Sequence, residues 1–282
     1  MPTRPNRRLV LTGALTLSAA ALTGCGVRLE DDAPNIPFVP QRDPIPGEAV
    51  LLAVLGALGA SEEQHADARA GRLRDALVEA QVPEKLLDDA QAPAAGAETV
   101  AAFEGAVRDC GPGLLRLVGR ITATQRIITD GRTKPLWTPA GTTPWKAGEV
   151  AADALRATRA AVYALDLIAA RSSDRFARSV RAASEELQGI VTRQTTAAGK
   201  DAPAATLGYD IPHDLTAARA KQLGKQSFQR LLAAYADGLA GLGDDREAAL
   251  EVTQWMVTAE RVSRKRFPLE VPELYGEKPS DS

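Results

Sequence analysis

The sequence predicts an all-α chain that ends in four helices of similar length, joined as two hairpins by one long crossover. Three observations carry this expectation. Alanine is abundant and aromatics make up only 4% of the chain, and alanine is the best helix former. From Gly47 onward apolar residues recur three and four apart, the spacing of one helix face. The connections between the last four periodic segments are two short and one long.

Before Gly47 the chain reads differently. Arg7 and Arg8 precede the apolar run LVLTGALTLSAAALTG, about 16 residues long, short of the roughly 20 that a spanning helix needs. A basic region, a short apolar region and small residues at its end make residues 1–24 a secretory signal peptide. Its ending, Leu22-Thr23-Gly24-Cys25, resembles a bacterial lipobox. That resemblance implies cleavage before Cys25 and acylation of this cysteine on its sulfur and its new amino terminus. Several acyl chains, at about 0.8 kcal/mol per buried CH₂, anchor stably where one is marginal. Asn6-Arg7-Arg8-Leu9-Val10-Leu11 also resembles a twin-arginine export signal, but Ser/Thr before the pair and Lys after it are missing. A plain basic region feeding the general secretory route is the other reading. The expected location is the cell membrane, lipid-anchored on the extracytoplasmic side. Residues 25–46 then form a tether, stiffened by Pro34, Pro37, Pro40, Pro44 and Pro46.

Composition narrows the partners. A net charge of −2 and a pI near 5.9 argue against nucleic acid, whose binders carry a basic face. A mean hydropathy of −0.16 fits a globular chain behind the leader. Cys25 and Cys110 are the only cysteines, so a lipidated Cys25 leaves Cys110 without an intramolecular partner. Cys110 reads as a buried small residue rather than a reactive thiol.

Residues 47–130 form a helical N-terminal region. EAVLLAVLGALGA (48–60) is apolar nearly all round and is expected to be buried. Residues 61–82 open with Ser61 and Gln64 at capping-box spacing and stop at Pro83, before a short helical turn, PEKLLDDA. A longer helical segment, about 98–128, is broken or kinked at Cys110-Gly111-Pro112-Gly113. The composition of DGRTKPLWTPAGTTPW marks a linker, with a domain boundary at 131–145; a plain loop or an O-glycosylated stretch would both read this way.

Helices are expected over about 146–171, 174–198, 214–242 and 245–267, with residues 146–275 as the bundle and 276–282 as a disordered tail. Asp174 and Asp214 are candidate N-caps, Gly199 and Gly243 candidate stops. In the first helix Ala151, Ala154, Thr158, Ala161, Leu165 and Ile168 share a face. Ala249, Val252, Met256, Ala259 and Ser263 do so in the fourth. The third carries Ala217, Ala220, Gly224, Ser227, Leu231, Ala234 and Gly238. A glycine inside a helix costs roughly 1 kcal/mol, so Gly224 marks either a close helix–helix approach or a kink. Short loops force antiparallel neighbours, and GKDAPAATLGYDIPH can run the length of the bundle. Two hairpins with one such crossover is the ferritin-like connectivity.

The segments RATRAAVYALDLIAAR (156–171), LGYDIPHDLTAARA (207–220), LLAAYADGLAGL (231–242) and RFPLEVPEL (266–274) resemble an uncharacterised ferritin-like domain family of actinobacterial exported lipoproteins. The resemblance spans about 144–274 and implies a ferritin-like four-helix bundle. It carries no established activity. Ferritin-like di-iron sites take a Glu from each of two helices and Glu-x-x-His from each of the others. This chain has two histidines, His65 and His213, and has Thr158-Arg159 where family members show Glu-His. Glu62-x-x-His65 has the right spacing but stands outside the bundle, which makes it a weak candidate metal pair. Asp166, Glu185, Glu186, Glu251 and Glu260 read as a solvated face.

Neither a Gly-rich phosphate loop, a CxxC pair nor a nucleophile elbow is present, so no catalytic residues and no cofactor are assigned. The run Arg261, Arg264, Lys265, Arg266 complements the dipole of the last helix, or else offers a patch to anionic lipid or cell-wall polymer. Trp137, Trp145, Tyr163, Tyr209, Phe228, Tyr235 and Trp255 are core filler, or else line a pocket. The expected role is binding or scaffolding at the envelope, with an unknown envelope protein or small molecule as partner. A metal-dependent oxidoreductase or a small-ligand carrier on the same bundle is the alternative.

Overall fold

Helix follows helix from Glu48 onward. A computed structural model describes residues 42–129, 144–206, 208–209 and 215–277, and among these there are nine α-helices and no strands. They are α1 (Glu48–Gly59), α2 (Ala66–Glu79), α3 (Glu84–Asp88), α4 (Ala97–Asp109), α5 (Pro112–Thr129), α6 (Gly148–Ala170), α7 (Asp174–Ala198), α8 (Ala217–Leu239) and α9 (Arg246–Arg264). The chain is therefore all-α, and none of its described helices is long and apolar enough to cross a membrane.

The break between α4 and α5 falls where the sequence places it. Cys110 leaves helical geometry (φ −66°, ψ 154°), and Pro112 opens α5 at the first position, where its missing N–H costs nothing. The start of α2 differs from expectation. Ser61 Oγ accepts the Glu63 amide in a local turn, and the helix begins only after His65, whose φ is 63°. This short-range bond spends the hydroxyl that a capping box at Ser61 would have used. Thr216 caps α8 by accepting the Arg219 amide, and Asp245 caps α9 by accepting that of Ala248. Asp214 lies outside the described residues. Ser173, rather than Asp174, is the N-cap of α7, while Gly199 ends that helix with φ 54°.

Helices α6, α7, α8 and α9 pack with α6 against α7 and α8, and α9 against α8 and α7. Every one of these pairs is antiparallel. Trp145, just before α6, bonds the Ala197 carbonyl at the end of α7. The α8 end at Gly238 meets Val150 at the α6 start. Arg193 and Lys265 pair with Glu251 and Glu186 across α7 and α9. The α7–α8 connection therefore travels from one end of this group to the other. The face predicted on α6 is buried throughout, from Ala151 to Ile168. On α8 the buried face is Ala220, Gly224, Phe228, Leu231, Tyr235 and Leu239; Ala217 is exposed, so the predicted stripe is correct only in part.

Everything described from Pro44 on belongs to one unit with one main core. The N-terminal helices pack onto the C-terminal ones: α5 and α4 lie against α9, and α5 also against α8. At that junction a Cβ on Gly119 would stand 2.7 Å from Leu239 and 3.3 Å from Thr253 Oγ1, so only glycine lets α5 come this close. Helix α9 is covered by α4, α5, α7 and α8, and 14 of its 19 residues are buried. The linker reading at 131–145 and Trp137 fall on residues that, up to 143, lie outside the described ones.

After α9 the chain runs back as a strap. Phe267 sits over Gly224, where a Cβ would meet its ring at 2.3 Å; the glycine makes room for a ring from the strap, neither for a neighbouring helix nor for a kink. Further on, Arg120 of α5 donates to the carbonyls of Tyr275 and Leu274, and the Tyr275 amide donates to Thr124 Oγ1. Gly276, expected in a free tail, is buried against Leu232 and Ala236, because these bonds hold its neighbour in place.

Candidate functional site

The residues of the leader motif, Arg7, Arg8, Leu22, Thr23, Gly24 and Cys25, lie outside the described residues, as do the tether up to Gln41 and His213. Glu62 is exposed and precedes the helix, and His65 is the exposed N-cap of α2, where its ring bonds the Gln64 amide at 3.1 Å. The pair is therefore not on one helix face, as its spacing had implied. Among the described residues no group of three or more His, Cys, Asp or Glu side chains could hold a metal ion.

Between α6, α7, α8 and α9 lies a buried polar chain. Thr158 Oγ1 donates to the Ala154 carbonyl at 2.8 Å, so its hydrogen is spent. The Tyr235 hydroxyl, 2.7 Å away, must then donate to Thr158, and Gln194 Nε2 donates to Tyr235 at 3.2 Å. Proton direction is thus fixed along the chain, and Gln194 Oε1 is left buried without a donor. Burial pushes the Tyr235 phenol well above its ordinary range, against the pull of its bonds to Thr158 and Gln194.

Beside it, Trp255 stacks on Trp145 with centroids 5.1 Å apart and donates its indole N–H to Glu251 Oε1 at 2.9 Å. Arg193 binds both oxygens of the same carboxylate at 2.7 Å. Glu251 and Glu260 had been read as solvated; they are 4% and 0% exposed, because α9 is covered on all sides. A ferritin-like di-iron centre needs four carboxylates and two imidazoles. At this depth α6 offers Thr158, α7 Gln194, α8 Tyr235 and α9 one carboxylate already held by Arg193 and Trp255. These donors do not fit such a centre.

Glu260 points the other way, toward the strap. Arg264 donates to its Oε1 at 3.2 Å and also reaches the Ile127 carbonyl and the Tyr275 hydroxyl. Glu260 Oε2 has no partner, and burial raises its carboxyl to about 7. Arg264, though partly exposed, is thus tied to three groups of the fold, and Lys265 pairs with Glu186. The basic run is bound into the fold at these two positions.

A cavity of about 350 Å³ opens between α4 and α5. Ala95, Val100 and Phe103 line one side; Thr99, Thr122, Gln125, Arg126 and Thr129 supply the polar part. Arg126 is only 5% exposed and has a partner within the protein. Gln125 is held in place by Glu63, at 2.8 Å, and by the fully buried Arg69. Sequence reasoning missed this site. Buried arginines look like surface arginines in a helical period, and the lining comes from two helices on either side of the Cys110 break.

No family model matches the chain, and neither a curated protein nor a solved structure matches it.

Proposed function

We propose that the protein is a lipid-anchored cell-envelope protein, held by acylated Cys25, whose helices α6–α9 form a ferritin-like bundle that serves binding or scaffolding rather than di-iron chemistry. The hydrogen-bonded chain Thr158–Tyr235–Gln194 carries this reading. It occupies the middle of α6–α9 with groups that bond one another, where a di-iron bundle would present carboxylates and imidazoles. The antiparallel neighbours and the long α7–α8 connection support the bundle type. The leader motif supports the anchor.

Two measurements test it. Acyl labelling in cells should be lost in Cys25→Ala, and a variant still labelled would overturn the anchor. The purified full chain should carry no stoichiometric iron or manganese, and roughly two metal ions per chain would overturn the reading of the bundle as one without di-iron chemistry. The cavity between α4 and α5 favours the ligand-carrying form of the binding role over a purely structural one.

A further inference from the structure

We infer that the outer face of α7 near its start is a docking surface for an anionic phospholipid bilayer, touched through Arg175, Arg178 and Arg181 with Arg266 beside them. The choice of a bilayer rests on the lipid anchor proposed above; the basic face itself does not. Arg175, Arg178 and Arg181 follow one another at spacings of three in the opening turns of α7, and all are exposed. That spacing keeps them on one side of the helix. The opposite side, with Ala177, Val180, Ala183 and Leu187, is buried toward α6 and α9. Among the described residues none of the three arginines has a hydrogen-bond or ion-pair partner.

The end of α9 widens the surface. Phe267 meets Phe176 edge-on, with centroids 6.0 Å apart, and Lys265 pairs with Glu186. The exposed Arg266 between them therefore stands alongside α7. Arg171, Arg175, Arg178, Arg181, Lys265 and Arg266 outnumber Asp174, Glu185 and Glu186 in this part of the molecule. The exposed acids Asp67, Asp75 and Glu79 gather instead on α2, which packs on α1 and α5. Arginines at a helix N-terminus oppose the helix dipole, so α7 gives up local stability to hold them there. A local cost with no gain inside the fold points to a use outside it.

The chemistry of the face selects its partner. Arginine binds phosphate oxygens through a planar fork of donors. Among the described residues the exposed large hydrophobic is Tyr163, which belongs to α6, so the arginine face offers no apolar anchor. A protein partner would need such an anchor, whereas a charged bilayer attracts a basic cluster without one. Reach allows the contact. The stretch from Cys25 to Pro44 spans at most about 65 Å, and α7 is about 37 Å long, so a chain held at Cys25 can lay this face on its own membrane.

The test is cosedimentation with vesicles of the chain from Pro44 to Ser282, which carries the whole core as one unit. Vesicles of phosphatidylglycerol and phosphatidylcholine in equal parts should bind it roughly a hundredfold more tightly than phosphatidylcholine alone. The preference should vanish at about 1 M salt. Arg175→Gln, Arg178→Gln and Arg181→Gln together should abolish it; all three sites are exposed, and circular dichroism checks that the variant folds. Lys146→Glu with Lys200→Glu changes more charge at the far end of α7 and should leave the preference intact. Equal binding to both vesicles, a preference that survives the triple substitution, or the same loss in the lysine pair would each overturn the surface. Capture by soluble poly-glutamate without vesicle binding would overturn the bilayer as its occupant. This fragment lacks Cys25, so the acyl-labelling result is independent of it, and the anchor and the face fail separately.

Discussion

Tyr235 donates its phenolic hydrogen to Thr158 across 2.7 Å, from α8 to α6, in a spot that no water reaches from outside. The direction follows from Thr158, whose own hydrogen goes to Ala154. Tyr235→Phe would leave Thr158 without its donor and Gln194 without its acceptor. The expected loss is about 1–3 kcal/mol of unfolding free energy, read from denaturant titration. Removing the second partner as well, in Tyr235→Phe with Thr158→Val, should cost less than the two single losses added together.

Glu260 makes stability depend on pH near neutrality. Its carboxyl rises from 4.5 to about 7 on folding, mainly through burial, with Arg264 and Tyr275 pulling it back. Between these values the folded chain binds the extra proton, so stability falls as pH rises through that window. The cost is fully present above about pH 7, on the order of 3 kcal/mol, and absent below about pH 4.5. Glu260→Gln should flatten the decline in unfolding free energy between about pH 5 and pH 8. An unchanged slope in that variant would show that another group titrates.

Gly224→Ala places a methyl in the Phe267 ring, 2.3 Å from its nearest atom. Overpacking of this kind costs about 1–3 kcal/mol, and here it should lift the start of the strap. Phe267→Ala alone empties a fully buried ring site and should cost about 3–5 kcal/mol. In the double variant the clash has vanished, so the two effects should fall short of additivity when compared by thermal unfolding.

Cys110 should be inert while the chain is folded. Burial pushes its thiol up to about 12, so almost no thiolate exists at neutral pH. N-ethylmaleimide should leave Cys110 unmodified in buffer and label it in guanidinium, as followed by peptide mass. Labelling in the native state would contradict its burial.

Much of the architecture could be read from the sequence because it depends on periodicity. The α6 face from Ala151 to Ile168 and the break before Pro112 are local patterns, and local patterns suffice for them. The buried charges were not legible. Glu251, Glu260, Arg69 and Arg126 are charged residue types that usually face solvent, and only their tertiary neighbours bury them. Gly224 shows the same limit. Its place in α8 marked a close approach, but the approaching group, Phe267, lies in a segment without helical period. The candidate cavity combines both difficulties, since its lining comes from α4 and α5, which the turn at Cys110 folds onto each other.

The strap has a kinetic consequence. Arg120 finds its carbonyl partners at Leu274 and Tyr275, more than half the chain length later. The earliest helices are synthesised long before the residues that close over them. Until the strap leaves the ribosome, the Arg120 guanidinium of α5 lacks these carbonyls, and until α8 and α9 do, its apolar side lacks their cover. Such late closure lengthens the time in which a newborn chain is open to proteases and chaperones. Nascent chains arrested at Leu239 should therefore be digested within α4 and α5, while chains released with the strap resist. The strap would then act as the timer for closing the helices made before it.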